Sequence, residues 1–252
     1  MKRELMKRSL FLSVTLLLTP AAQADTVNAA VAANFAAPFA AIASAFEKAT
    51  GHHVVTSSGS TGKLDAQIRN GAPFEIFLAA DRERPDLLVA DGLAVTGTNA
   101  PYAIGRLALW SPNLRVDSAE ALKQPGIQHI AIANPKTAPY GAAAVQALSR
   151  PGLLESLQPK LVQAENIAQT LQFTASGNAE IGFVALSQLK GPKAPAGSNW
   201  VVPADWHDPI VQSLCLLKIG QENPAARALL DFIGSAQATA IIASFGYDTP
   251  EK

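Results

Sequence analysis

The chain has 252 residues, 48% of them hydrophobic, with 20 basic and 20 acidic side chains and a single cysteine. That balance offers no basic footprint for nucleic acid, and a lone Cys215 excludes an internal disulfide and a thiolate metal cluster. The length suits one large domain or two small ones, either able to bury a substantial core.

Residues 1–24 read as a secretory signal. Lys2, Arg3, Lys7 and Arg8 precede the apolar run Leu10 to Leu18, and Ala22-Gln23-Ala24 supplies a small-x-small cleavage pattern. The apolar part is too short to span a bilayer, and no Cys near the cleavage point invites lipidation. Cleavage after Ala24 and delivery to the periplasm are expected. The remaining chain is mildly acidic and contains no second spanning segment.

Beyond the leader, short apolar strands alternate with amphipathic helices, the pattern of an α/β protein with largely parallel sheets. TVNAAVAA (26–33) predicts a strand, followed by a helix in which Phe39, Ile42 and Phe46 share one face and Gly51 ends it. HHVVTSS predicts a second strand, Leu64 and Ile68 mark the next helix, and FEIFLAA (74–80) predicts a third strand. A helix over Asp81 to Asp91 completes a βαβαβα block. Further strands are expected over 105–112, 129–135, 180–186 and the apolar run IVQSLCLLKIG, where Cys215 reads as a buried structural thiol. Helices are expected over Tyr140 to Leu148, Ile167 to Ala175 and Pro224 to Ile233, with one more at the C-terminus. KGPKAPAGSNW reads as a surface stretch.

Two architectures fit: one doubly wound domain, or two α/β lobes with a crossover near 105–112 and a return near 209–219. Usual domain sizes favour the second. Ligands of such folds bind where strands end and helices begin. Four junctions qualify: Ala33-Asn34, Ser58 to Gly62, Pro135 to Gly141, and Glu165 to Ile167.

In GSTGKL, Ser60 and Thr61 present hydroxyls at a helix start whose first N–H groups lack intrahelical acceptors, an arrangement that binds anions. The same residues also suit an ordinary Ser/Thr N-cap, and this stretch alone favours the cap. Asn34 could donate its amide toward a shared crevice or close a local Asx turn. Tyr140 could donate its phenol across a cleft or serve as an aromatic cap. No compact acid, base and nucleophile set is visible, and none of HExxH, GxSxG or a phosphate-loop lysine motif occurs. His52 and His53 are adjacent on a strand and face opposite ways. A crevice of neutral donors suits an anion that carries no proton at neutral pH; hydrogen phosphate would also want an acceptor.

The segments VAANF, GSTGKLDAQIRNGAPFEIFLAAD, IANPKTAPYGAAAVQAL, AENIAQTL, GNAEIGFVAL and the late FGY resemble the periplasmic molybdate-binding proteins of ABC transporters, a type II two-lobed family. The similarity runs through essentially the whole mature chain. It implies a tetrahedral oxyanion, molybdate or tungstate, held between lobes by neutral donors, with molybdenum present only inside the oxyanion. Carried over by position, the ligand residues are Asn34 and Thr61 on one lobe, with Ala33 and Ser60 adjoining. On the other they are Tyr140 and Ile167, the latter through its backbone N–H. Three departures stand out. Ala185 in GFVAL lacks the tyrosine that some members supply there, a role Tyr140 would take. Glu75 stands where the family pattern has Asp, and Ala33 lacks a hydroxyl seen in some members.

The resemblance further implies no enzymatic activity, no cofactor, a monomer and a membrane permease as partner. Expected boundaries are 25–104 and 209–252 for the first lobe and 105–208 for the second. The alternatives are a receptor for another oxyanion such as sulfate or phosphate, and, from a different class, an exported hydrolase using Ser60 or Thr61.

Overall fold

The computed structural model describes residues 24–250. The expected signal segment therefore lies outside the described residues, apart from Ala24. The chain opens with β1 (Thr26–Ala32), α1 (Ala36–Thr50), β2 (His53–Gly59), α2 (Thr61–Arg69), β3 (Ile76–Leu78), α3 (Glu83–Ala90) and β4 (Ala100–Gly105). It then passes to β5 (Leu107–Ser111), β6 (Ile130–Ala133), α4 (Pro139–Ser149), α5 (Leu154–Leu157), β7 (Leu161–Ala164), α6 (Ile167–Ala175), β8 (Ile181–Ala185) and β9 (Ser198–Val201). It returns as β10 (Ile210–Leu216) and ends with α7 (Pro224–Ile233) and α8 (Ala236–Ser244).

These strands form two five-stranded sheets, in the orders β2-β1-β3-β10-β4 and β7-β6-β8-β5-β9. Each sheet is mixed: β1 runs parallel to β2 and β3 while β10 is antiparallel to β3 and β4, and β6 runs parallel to β7 and β8 while β5 is antiparallel to β8 and β9. The result is a two-lobed α/β fold. Among the described residues two connections join the lobes, one at Arg106 between β4 and β5 and one between β9 and β10.

Helix-covered parallel strands bury both faces, which is why β1 is almost wholly apolar. On α1 the 3- and 4-residue spacing of Phe39, Ile42 and Phe46 turns all three into the first core, where they are fully buried. A second cluster fills the other lobe around Leu107, Leu109, Ile130 and Ile132, and it also takes in Ala32, Ala33 and Ala80 from the first lobe. The lobes thus share one apolar contact, and that contact surrounds the junctions singled out above.

Four elements go beyond the sequence expectation. The single strand expected over 105–112 is interrupted at Arg106, and β4 precedes it over a stretch that includes Pro101. The four-residue strand β7 and the one-turn α5 lack a periodic pattern long enough to read. The surface stretch ends in β9, where Ser198–Val201 pairs antiparallel with β5. The third strand is shorter than expected, three residues rather than seven.

Candidate functional site

The six candidate residues lie at strand ends from both lobes, and all six line one small cavity: Ala33, Asn34, Ser60, Thr61, Tyr140 and Ile167. Ala32, Gly59, Ala80, Ala138, Pro139 and Asn166 complete its wall. It is small, about 10 Å³, and leaves no room for an organic substrate. None of these lining residues is acidic, basic or histidine.

Helix starts aim at this cavity from both lobes. Thr61, Tyr140 and Ile167 stand in the first turns of α2, α4 and α6, where N–H groups lack intrahelical acceptors. Among the described residues their N–H groups find no other acceptor, nor do those of Ala33 and Asn34 in the 3-10 turn after β1. At α6 the separation of roles is clear. Asn166 Oδ1 accepts from the N–H groups of Ala168 and Gln169, both at 3.0 Å, and leaves the Ile167 N–H to the cavity.

The hydroxyls behave differently from caps. Ser60 occupies the N-cap position of α2 with extended backbone, yet its side chain makes no capping bond. Its Oγ is buried without any hydrogen-bond partner, an expensive state for a hydroxyl unless something else is meant to accept its proton. Thr61 Oγ1 accepts from the Ala80 N–H at 3.0 Å, which occupies a lone pair and leaves the hydroxyl proton free to donate. The ordinary N-cap that the stretch alone favours is therefore not what forms.

Gly62 has no positive backbone φ. It is there for close approach: its N–H donates to Thr137 O of the other lobe at 2.8 Å, and a Cβ would stand 3.1 Å from Thr137 Cα. Lys63 Nζ meets Glu165 at 2.9 Å across the same rim.

Behind the cavity lies a buried polar network that the sequence reading did not anticipate. Asn34 Nδ2 donates to Gln212 Oε1 at 2.8 Å and to the Tyr247 hydroxyl at 3.0 Å. Both amide hydrogens are thus used there, which corrects the expectation that the Asn34 side chain faces the crevice; its backbone N–H remains available. The Tyr247 and Ser187 hydroxyls lie 2.9 Å from Asn34 O. Gln212 Nε2 donates to the Tyr140 hydroxyl at 3.3 Å. Burial holds the Tyr140 phenol well above the usual phenol pKa, with Tyr247 and Tyr102 adding to the shift, so it stays neutral. A polar Gln-Ser pair inside the apolar run IVQSLCLL was the available signal, because a buried amide needs partners.

Elsewhere the departures prove structural. Glu75 accepts from the Asn28 N–H at 2.8 Å and from Asn223 Nδ2 at 2.7 Å. Ala185 is fully buried in β8. Burial pushes the Cys215 thiol up to about 12, in keeping with an inert thiol. The hydrolase alternative finds no activating base: Ser60 Oγ has no partner, Lys63 is engaged by Glu165, and His52 Nδ1 accepts from the Asp25 N–H. A larger opening of about 520 Å³ lies beside the cavity and shares Ala80, Ala138 and Pro139 with it. Its wall carries Asp81, Arg82, Glu83, Arg84, Lys136 and Asp208, a mixed-charge lining unlike the donor-only cavity.

The sequence profile of the bacterial extracellular solute-binding proteins matches residues 27–248. The molybdate-binding protein ModA of Azotobacter vinelandii is 53% identical over 234 residues, covering 92% of this chain and 93% of that protein. ModA of Rhodobacter capsulatus is 47% identical over 234 residues, covering 92% of each. The solved structure of the Azotobacter vinelandii periplasmic molybdate-binding protein superposes with a TM-score of 0.85 at 41% identity, over 89% of this chain and 100% of that one. The chain belongs to the bacterial extracellular solute-binding protein family that includes the molybdate-binding proteins ModA.

Proposed function

We propose that this protein is a periplasmic receptor that captures molybdate between its lobes and delivers it to an ABC-transporter permease. It makes and breaks no covalent bond. Tungstate, of the same shape and charge, is a second cargo in this reading. The observation that carries it is the uncharged cavity itself, in which several groups have a proton free to donate: the Ser60 and Thr61 hydroxyls and the N–H groups of the surrounding helix starts. A doubly charged oxyanion leaving water needs such donors in place of its hydration, and a proton-free one needs no acceptor.

In this reading Asn34, Ser60 and Thr61 hold the anion from one lobe, with Ala33 adjoining. Tyr140 and the Ile167 N–H complete the shell from the other. Residues 25–104 and 209–252 form the first lobe and 105–208 the second, and closure about the two connections buries the ion. The anion stabilises the closed form only through contacts it lacks in the open one. A leader over residues 1–24, cleaved after Ala24, exports the chain, which works as a monomer.

A thermal-shift panel on the mature chain tests this reading. Molybdate and tungstate should raise the unfolding temperature at concentrations where sulfate and phosphate do not. Equal shifts from all four anions, or none from molybdate, contradict it.

A further inference from the structure

Gln212 is fully buried on β10 and touches candidate ligand residues of both lobes. Its Oε1 accepts from Asn34 Nδ2 at 2.8 Å and lies 3.1 Å from the Tyr102 hydroxyl, while its Nε2 donates to the Tyr140 hydroxyl at 3.3 Å. An amide is suited to this place because it offers an acceptor on one side and donors on the other. The strand register against β4 shifts between Gln212 and Ser213, an irregularity of the kind that re-aims a side chain.

Gly105, at the end of β4, forms the other side of the same seat. A Cβ there would collide with the Tyr140 hydroxyl and stand 2.9 Å from Gln212 Nε2. The phenol therefore rests in a slot that exists only because residue 105 has no side chain, beside the connection between the lobes.

We infer that Gln212, with Gly105 as its wall, is a positioning residue for oxyanion binding: one buried amide holds both Asn34 and the Tyr140 phenol and so sets where the turns that carry them present their N–H groups to the ligand. This rests on the reading of Tyr140 as a ligand. The same amide ties Asn34 of the first lobe to Tyr140 of the second, so the two halves of the clamp are set against one reference.

The test is a double-mutant cycle on the purified mature chain, with molybdate as titrant and denaturant unfolding run in parallel. Gln212→Met should weaken molybdate binding about five- to tenfold, the worth of one neutral hydrogen bond. In a Tyr140→Phe background the same change should cost less than about twofold, because the hydroxyl it holds is gone. Gly105→Ala reaches the same phenol from the opposite side, and serves if Gln212→Met does not fold. It should weaken binding by a similar factor. Equal losses in both backgrounds, or unchanged affinity with only a lower unfolding midpoint, would overturn the inference and leave Gln212 a structural residue. If Tyr140→Phe alone leaves affinity unchanged, it is the ligand reading of Tyr140 that fails, and the inference falls with it.

Discussion

The backbone N–H of Ala80 donates to Thr61 Oγ1 at 3.0 Å, between two residues that are both almost fully buried. That bond gives the threonine hydroxyl two jobs: it satisfies a strand-end amide and holds its own proton toward the cavity. Thr61→Ala should therefore weaken molybdate binding about 10- to 100-fold and also lower stability by about 1–3 kcal/mol, since the Ala80 N–H loses its acceptor. Thr61→Ser should restore most of both. Calorimetric titration and denaturant unfolding read the two effects separately; unchanged binding in Thr61→Ala would remove Thr61 from the clamp.

Ser60 should separate what Thr61 joins. Its buried hydroxyl has no partner, so Ser60→Ala removes an unsatisfied group and should leave the ligand-free protein as stable as before or slightly more so. Binding should still weaken, though by less than in Thr61→Ala. The opposite ranking in affinity would move the principal hydroxyl contact from Thr61 to Ser60.

Alkaline pH should act on stability through the tyrosines behind the site. Burial raises the phenols of Tyr102, Tyr140 and Tyr247 above their usual value. A raised native pKa means the folded state keeps its protons while the unfolded chain loses them. Stability is thus fully present below about pH 10, the ordinary tyrosine value, and declines as pH rises through and beyond it. Unfolding free energies measured from pH 7 to 11 should be flat with respect to these groups and then fall. Replacing Tyr247 with Phe should reduce the slope of that fall; an unaltered slope would mean the phenol is not protected.

The Lys63–Glu165 pair bridges the lobes at the rim with about half of each side chain exposed. Solvent screening limits such a pair to roughly 0–1 kcal/mol, so Lys63→Ala should weaken molybdate binding no more than about fivefold. That loss should shrink further with added salt. A larger, salt-independent loss would make Lys63 a direct ligand and end the neutral-donor account.

The sequence exposed the candidate residues because each stands where a strand stops and a helix begins, a local event visible in a few residues. Asn34, Thr61, Tyr140 and Ile167 could be named that way. Gln212 could not, because its partners Tyr140 and Asn34 lie 72 and 178 positions away. The role of Gly62 was hidden for a similar reason: only the facing Thr137 backbone leaves so little room for a side chain there. In the fold, long amphipathic helices such as α1 and α7 were legible from periodicity. The four-residue strands β7 and β9 were not, since their pairing is decided by neighbours distant in sequence.

Titration calorimetry of the mature chain at pH 7 to 8, with molybdate and phosphate in turn, bears most directly on the donor-only cavity. The account predicts one molybdate bound per chain, and phosphate, which retains a proton, bound at least about 100-fold more weakly, the cost of one unpaired polar contact to a charged group. Phosphate binding as tightly as molybdate, or no binding of molybdate at all, would contradict it.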